Sequence, residues 1–115
     1  MRVWVKSKDL AVRIYKLTAD NDSLAKDFRF RSQMRAAAVS IPSNIAEGDE
    51  LDTNRQSIRH FYIAKGSTAE IITQIIIAHE IGHLPEEIAN QLIGEYEHIS
   101  LMLAKLIHAR TTKKP

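Results

Sequence analysis

The sequence predicts an all-α fold, an antiparallel up-down-up-down four-helix bundle whose second helix is kinked at Pro42. Apolar residues recur at intervals of three and four along most of the chain, as on the buried face of an amphipathic helix. Only 4 glycines and 3 prolines interrupt the 115 residues, too few for the many turns of a β fold. The turn signals separate four long segments, and short connections favour antiparallel neighbours. This length predicts a single domain over residues 1–115.

The first helix is predicted from about Val5 to Ala19. Its apolar stripe recurs at helical spacing and contains Leu10, Ile14 and Leu17. The polar cluster from Asp20 to Ser23 predicts a turn, short enough for an αα-hairpin.

The second helix is predicted from about Leu24 to Glu47 and contains Pro42. Because proline has no backbone N–H, it removes one helical hydrogen bond and should kink the helix. We expect nearby polar side chains to bond the freed backbone groups, namely Ser40, Ser43 and Asn44. Gly48 suits a left-handed position at the end of this helix. The predicted core stripe contains Phe30, Met34, Ala37 and Ile41.

The third helix is predicted from about Thr53 to Ile81, and Thr53 with Gln56 fits a capping box. Glycine inside a helix costs about 1 kcal/mol relative to alanine, so a neighbouring backbone is expected to approach closely at Gly66 and Ser67. The predicted core stripe contains Ile58, Phe61, Tyr62, Lys65, Ala69, Ile72 and Ile76. Other apolar residues lie off this stripe, namely Ile63, Ile71, Ile75 and Ile77. A helix that is apolar on most sides must be buried on most sides, which predicts a homo-oligomer.

The fourth helix is predicted from Pro85 to about Ala109, because Gly82 ends the third helix and proline suits a first turn. Its predicted buried stripe contains Ile88, Leu92, Tyr96, Ile99, Leu103 and Leu106. A short basic tail follows.

Charge is distributed unevenly along the chain. Residues 1–46 carry 9 basic and 4 acidic side chains, a net charge of +5, whereas residues 47–99 carry 3 and 10, a net charge of −7. Residues 100–115 add +4. Such asymmetry indicates either a nucleic-acid surface or complementary faces of an oligomer. The absence of cysteine excludes disulfides and thiolate metal sites and favours a cytoplasmic location, and no apolar run is long enough to span a membrane.

Several motifs, in order and with familiar spacing, resemble the bacterial four-helix-bundle family associated with 23S rRNA intervening sequences, often labelled S23 ribosomal proteins. They are Gln33-Met34-Arg35-Ala36-Ala37, the run from Ser40 to Gly48, Phe61, the run from Ile63 to Ser67, and Ile81-Gly82. The motif residues expected to be structural are Ser40, Pro42, Asn44, Glu47, Gly48, Gly66 and Ser67.

The resemblance implies assembly into a homopentamer and does not imply a place in the ribosome. Related members are accessory proteins of diversity-generating retroelements, which form basic barrels that engage nucleic acid and a reverse transcriptase. A reverse transcriptase is therefore an implied partner. The chain departs from the family pattern at Arg35, which stands alone where many members have two arginines, and at Lys65, where arginine is usual. The segment from Asp49 to Asp52 stands where many members have an aromatic residue and an arginine, so the surface is expected to be less basic than in those members.

The first two helices carry the candidate nucleic-acid-binding residues, which are Arg13, Lys16, Arg29, Arg31 and Arg35. Phosphates require positive charge more than fine geometry. The alternative is that these side chains form a solvated face or pair with the acidic part of a neighbouring subunit. No aromatic platform is predicted among the arginines, so base recognition is not expected.

The segment His79-Glu80-Ile81-Gly82-His83 has the spacing of a zinc protease helix, in which two histidines bind zinc and a glutamate activates water. Gly82 and Pro85 predict that the helix ends here, so His83 should leave the face that His79 occupies. Glu47 is expected to pair with Arg55 or Arg59. We therefore expect no metal, no cofactor and no enzymatic activity. The favoured function is a non-enzymatic oligomeric scaffold that binds structured RNA or DNA; the alternatives are a protein-adaptor oligomer and, remotely, a zinc hydrolase.

Overall fold

The computed structural model describes residues 1–50 and 54–111. Within these ranges all regular structure is helical, which confirms the predicted all-α class. Four helices correspond to the predicted segments, although the second of these begins at Phe28 and not at the predicted Leu24, and a fifth helix is short. They are α1 (Arg2–Asp20), α2 (Asp22–Lys26), α3 (Phe28–Glu50), α4 (Asn54–Glu80) and α5 (Glu86–Thr111).

The short helix α2 corrects the turn predicted over Asp20 to Ser23. Asn21 forms its N-cap, and the Asn21 Oδ1 accepts a hydrogen bond from the Leu24 N–H at 2.9 Å. Six residues later, the Asp27 carboxylate accepts from the Phe30 N–H at 3.2 Å and begins α3. Because each of these N-caps begins a helix, the connection between α1 and α3 contains a short helix and is not a single turn.

Helices α3 and α4 run antiparallel to each other. Residue numbers rise along α3 as they fall along α4, since Ser40 contacts Ser67 and Asn44 contacts His60. Helix α4 packs along α5, whereas α1 packs mainly on α3 and only lightly on α5. The molecule is elongated, with principal extents of 50 × 21 × 18 Å.

The core stripes predicted for the first, second and fourth segments are buried over most of their length. Fully buried members include Ile14, Met34, Ile41, Leu92 and Leu103. None of the described helices combines the length and the apolar character needed to cross a membrane.

The core stripe predicted for the third segment is wrong for α4. Tyr62, Ala69 and Ile76 are exposed, and of the predicted stripe only Phe61 is fully buried. The buried residues of α4 are Ser57, Phe61, Ala64, Ser67, Thr68, Ile71, Gln74, Ile75 and Ala78. Helix α4 is apolar on more than one side, so two stripes of apolar residues recur at the helical period. The period alone therefore does not indicate which stripe is buried. The Thr53 cap lies outside the described residues.

Gly48 does not end its helix in a left-handed conformation, because α3 continues to Glu50 and the only described residue with positive φ is Gly82, at 86°. A Cβ at Gly48 would lie 2.8 Å from Phe61 Cε1 and 3.1 Å from the Ser57 carbonyl oxygen. Gly48 therefore permits close approach of α3 and α4. Helix α3 also continues through Pro42, and the kink there stays a prediction.

Candidate nucleic-acid interface

Arg35 of α3 joins α1 to α3. Its Nε donates to Thr18 Oγ1 at 2.8 Å, and its Nη2 donates to the Tyr15 carbonyl oxygen at 3.1 Å. Its guanidinium carbon lies 4.5 Å from the centroid of the Tyr15 ring. Arg35 is half-buried and ordered by α1, so it contributes to packing as well as to charge.

Arg31 makes a similar arrangement one turn earlier on α3. Its Nη1 donates to the Ala25 carbonyl oxygen at 2.9 Å, and its guanidinium carbon lies 5.3 Å from the centroid of the Phe28 ring. Ala25 is in the last turn of α2, where carbonyl groups lack helical partners. Arg31 therefore caps α2 and opposes the negative end of that helix.

Arg13 lies on the other flank of α1, towards α5. Its Nη2 donates to Gln91 Oε1 at 2.8 Å, near the ion pair between Lys6 and Glu95 at 3.3 Å. A groove of about 590 Å³ opens between α1 and α5 at this place. The groove mixes acidic and basic side chains, and Arg13 is separated from the cluster around Arg31 and Arg35.

Lys16 and Arg29 are exposed on α1 and α3. The structure thus brings together Arg31 and Arg35, leaves Lys16 and Arg29 free to contact solvent, and places Arg13 at a different seam. The candidate basic residues therefore do not form a single uniform patch.

Two exposed aromatic rings were missed by the sequence analysis, which predicted no aromatic platform among the arginines. Tyr15 is 44% exposed and Phe28 is 69% exposed, and each ring contacts one of the two arginines. The spacing of Phe28 and Arg31 could have revealed one pair, because residues three apart meet on a helix surface. Tyr15 lies 20 residues from Arg35, so only the packing of α1 on α3 creates that pair.

The motif residues Ser40, Asn44 and Ser67 form a polar network across α3 and α4. The Ser40 and Ser67 hydroxyl oxygens are 2.8 Å apart. Asn44 Nδ2 donates to the Ser40 carbonyl oxygen at 2.9 Å, and Asn44 Oδ1 lies 3.0 Å from His60 Nδ1. The carbonyl that Pro42 leaves without its helical donor is that of Ala38, four residues earlier, so the network bonds a different group from the one predicted.

This network fits the structural role expected of the motif residues. The described partners of the His60 imidazole are Asn44 and the Glu47 carboxylate, at 3.8 Å, and neither is a serine hydroxyl. Glu47 therefore faces His60, which corrects the expected pairing with Arg55 or Arg59. Gly66 is exposed, and a Cβ there would meet nothing within 4 Å, so no other helix approaches it in the described part of the chain.

The histidines of the zinc-protease-like segment have separate partners. Helix α4 ends at Glu80, and His79 Nδ1 lies 3.0 Å from the Leu84 carbonyl oxygen. His83 follows Gly82 and points elsewhere, with Nε2 3.0 Å from Asp27 Oδ2. In the described ranges no group of three or more His, Asp or Glu side chains is placed to hold a metal ion. The two-histidine helix face of a zinc protease is therefore not formed.

The comparisons with known proteins agree with this all-helical architecture. The family model described as 23S rRNA-intervening sequence protein matches residues 1–105. A crystal structure from Bacteroides thetaiotaomicron, of a protein of unknown function from the S23 ribosomal protein family, is similar with a TM-score of 0.86 and 23% identity. The similarity covers 91% of this chain and 97% of that chain. No curated protein matches the chain.

Proposed function

The chain belongs to the 23S rRNA-intervening sequence protein family, and from this premise we propose that it is a non-enzymatic oligomeric scaffold that binds structured RNA or DNA. The observation that carries the proposal is the segregation of charge. The segment that forms α1, α2 and most of α3 has a net charge of +5, and the following segment has a net charge of −7. A basic surface is the electrostatic footprint expected for contacts with phosphates.

Lys16, Arg29, Arg31 and Arg35 supply this basic surface on α1 and α3. Lys16 and Arg29 are exposed and free to follow a phosphate backbone. Arg31 and Arg35 are held by carbonyl groups, yet each guanidinium has five N–H donors and retains some for a ligand. Repetition of this surface around a ring would strengthen binding through avidity.

Assembly as a homo-oligomer is part of the proposal, and the number five comes from the family resemblance. We interpret the antiparallel contacts as an up-down-up-down four-helix bundle that presents α4 to neighbouring subunits. Several large apolar side chains on α4 and just beyond it are 41–59% exposed in the single chain, namely Tyr62, Ile63, Ile76, Ile77 and Ile81. Exposed apolar side chains of this kind are typical of protein–protein interfaces.

The second candidate function is a protein-adaptor oligomer without a nucleic-acid role. The negative charge of residues 47–99 favours it, because α4 and most of α5 would repel phosphates. A protein partner, such as the reverse transcriptase implied by the resemblance, would then meet the basic surface. The cytoplasmic location stays a prediction.

The test is binding of a fluorescein-labelled RNA hairpin by fluorescence anisotropy across a salt series. The double variant Lys16→Gln with Arg29→Gln should bind RNA of any sequence more weakly. The slope of log affinity against log salt concentration should become shallower by about one for each phosphate contact that is lost. These two residues are better targets than Arg31 and Arg35, whose replacement would also disturb the junction of α1, α2 and α3.

The matched control is Arg55→Gln with Arg59→Gln, which removes two exposed arginines from the acidic segment. It should leave the affinity and the salt slope close to those of the native protein. No binding by the native protein even at low salt would reject the nucleic-acid function and favour the protein adaptor.

A further inference from the structure

Phe28 is the most exposed large apolar side chain in the described part of the chain, at 69%. It occupies the first residue of α3, immediately after the Asp27 cap. Arg31 is the ring's charged neighbour, at 5.3 Å from the centroid. A phenyl ring in this position contributes little to the core of the single chain and leaves most of its surface open to solvent.

The second ring–arginine pair lies next to the first. Phe28, Arg31 and Arg35 follow one stripe of α3, and Tyr15 of α1 covers Arg35 at 4.5 Å. At 1.5 Å per residue, Arg31 and Arg35 are about 6 Å apart along the helix axis. We name Tyr15, Phe28, Arg31 and Arg35 the arginine–aromatic cluster.

The arginines of this cluster are fixed before any ligand arrives. Arg31 is held by the Ala25 carbonyl group, and Arg35 is held by Tyr15 and Thr18. Hydrogen bonds of this kind restrict the rotation of the guanidinium planes, so less side-chain entropy is lost on binding. Each aromatic ring therefore lies next to a guanidinium group whose rotation is already restricted.

The surroundings of the cluster carry positive charge. Residues 15–35, which span the cluster, contain five Lys or Arg residues and three Asp residues, a net charge of +2. The carboxylate of one of those acidic residues, Asp27, is hydrogen-bonded to His83 and to the Phe30 N–H. Exposed aromatic rings next to basic side chains have the two properties that single-stranded nucleic-acid sites combine.

From this geometry we propose that the arginine–aromatic cluster is a stacking site for unpaired bases, so that the protein recognises loops or single-stranded segments of RNA. This inference rests on the proposed nucleic-acid function and names its substrate class. A base inside a duplex already stacks on both faces, whereas an unpaired base can stack on Phe28 or Tyr15. Every base has a π-face, so stacking alone imposes little sequence preference.

The experiment compares two fluorescein-labelled RNA hairpins that have identical stems and numbers of phosphates. One has a loop of adenosines and the other has abasic residues in the loop. The native protein should bind the adenosine loop more tightly. Phe28→Ala and Tyr15→Ala should each weaken binding to the adenosine loop by about 5- to 100-fold and leave the abasic loop unchanged.

Two further variants separate stacking from general apolar contact. Phe28→Leu keeps an apolar side chain without a π-face and should behave like Phe28→Ala, whereas Phe28→Trp should retain the preference for the adenosine loop. The matched control is Leu101→Ala, which removes a 63%-exposed apolar side chain from α5 and should change neither affinity.

Equal affinity of the native protein for the two hairpins would overturn the stacking site while leaving the proposed phosphate binding intact. Binding to neither hairpin at low salt would reject the proposed function itself, and the stacking site with it. A lower oligomer mass of Phe28→Ala in light scattering would identify Phe28 as a subunit contact and would also overturn the inference.

Discussion

Gly48 and Gly66 lie in adjacent antiparallel helices and have opposite surroundings. Gly48 is buried against Phe61, and even one added carbon would lie 2.8 Å from the ring. Gly66 faces open space on the surface of α4. Among the described residues, the close approach expected at Gly66 therefore occurs at Gly48 instead.

We expect Gly48→Ala to destabilise the protein. Overpacking costs about 1 to 3 kcal/mol, whereas the better helix propensity of alanine returns about 1 kcal/mol, so the net loss is up to about 2 kcal/mol. Urea denaturation followed by circular dichroism measures this difference. A variant as stable as the native protein would show that Phe61 moves aside at no cost.

Gly66→Ala is the matched counterpart of that variant. If the chain acts alone at this position, the free energy of unfolding should rise by up to about 1 kcal/mol, because alanine is a better helix former. If a neighbouring subunit packs its backbone against Gly66, self-association should weaken instead. Light scattering together with urea denaturation distinguishes the two results.

At the scale of the elements, the junction of α2 and α3 is tied to the turn between α4 and α5. His83 donates from Nε2 to the Asp27 carboxylate at 3.0 Å, and Asn21 Nδ2 donates to the His83 carbonyl oxygen at 2.9 Å. The Phe30 ring also meets the His83 ring edge to face, with centroids 6.3 Å apart. The segment that resembles a zinc-protease motif thus supplies a contact that joins two connections distant in sequence.

This contact predicts a specific dependence of stability on pH. The hydrogen bond from His83, with a second from the Phe30 N–H, holds the pKa of Asp27 below its ordinary value of 3.8. A carboxyl group whose folded-state pKa is lowered stabilises the fold above its unfolded-state pKa, and the stabilisation is lost as the pH falls through the folded-state value. The contribution should therefore be complete near neutral pH and disappear below about pH 3.8.

Asp27→Asn tests this prediction. The variant should be less stable than the native protein near pH 7, and the difference should shrink as the pH is lowered below 3.8. Urea denaturation at a series of pH values measures it, and Asp22→Asn, at an exposed position of α2, is the control. A difference that stays constant with pH would contradict the role of the ionised carboxylate.

At the scale of the whole molecule, apolar surface remains exposed on the helix that lies between α3 and α5. Ile76 and Ile77 are 41% and 42% exposed, although nine other residues of their helix are buried. In the sequence, an acidic middle segment also lies between two basic ends. These properties fit a subunit better than an isolated monomer.

The double variant Ile76→Lys with Ile77→Lys should therefore lower the molar mass measured by light scattering while the helical circular dichroism is retained. Charged side chains at a buried apolar contact cost several kcal/mol, which is enough to dissociate an oligomer. Val12→Lys, at a 45%-exposed position of α1, is the control. An unchanged mass would place the subunit contact on another face.

The all-α class and the approximate location of the four long helices could be predicted from the sequence alone. The sequence also determined which stripes of α1, α3 and α5 face the core, because these depend on periodicity along a single helix. The tertiary structure decided which side of α4 is buried, since that helix is apolar on several sides and its neighbours select the face. It also decided which glycine permits close packing, that His83 meets Asp27, and that Tyr15 meets Arg35. Each of these depends on residues 13 to 56 positions apart, whose proximity is created only when the helices pack.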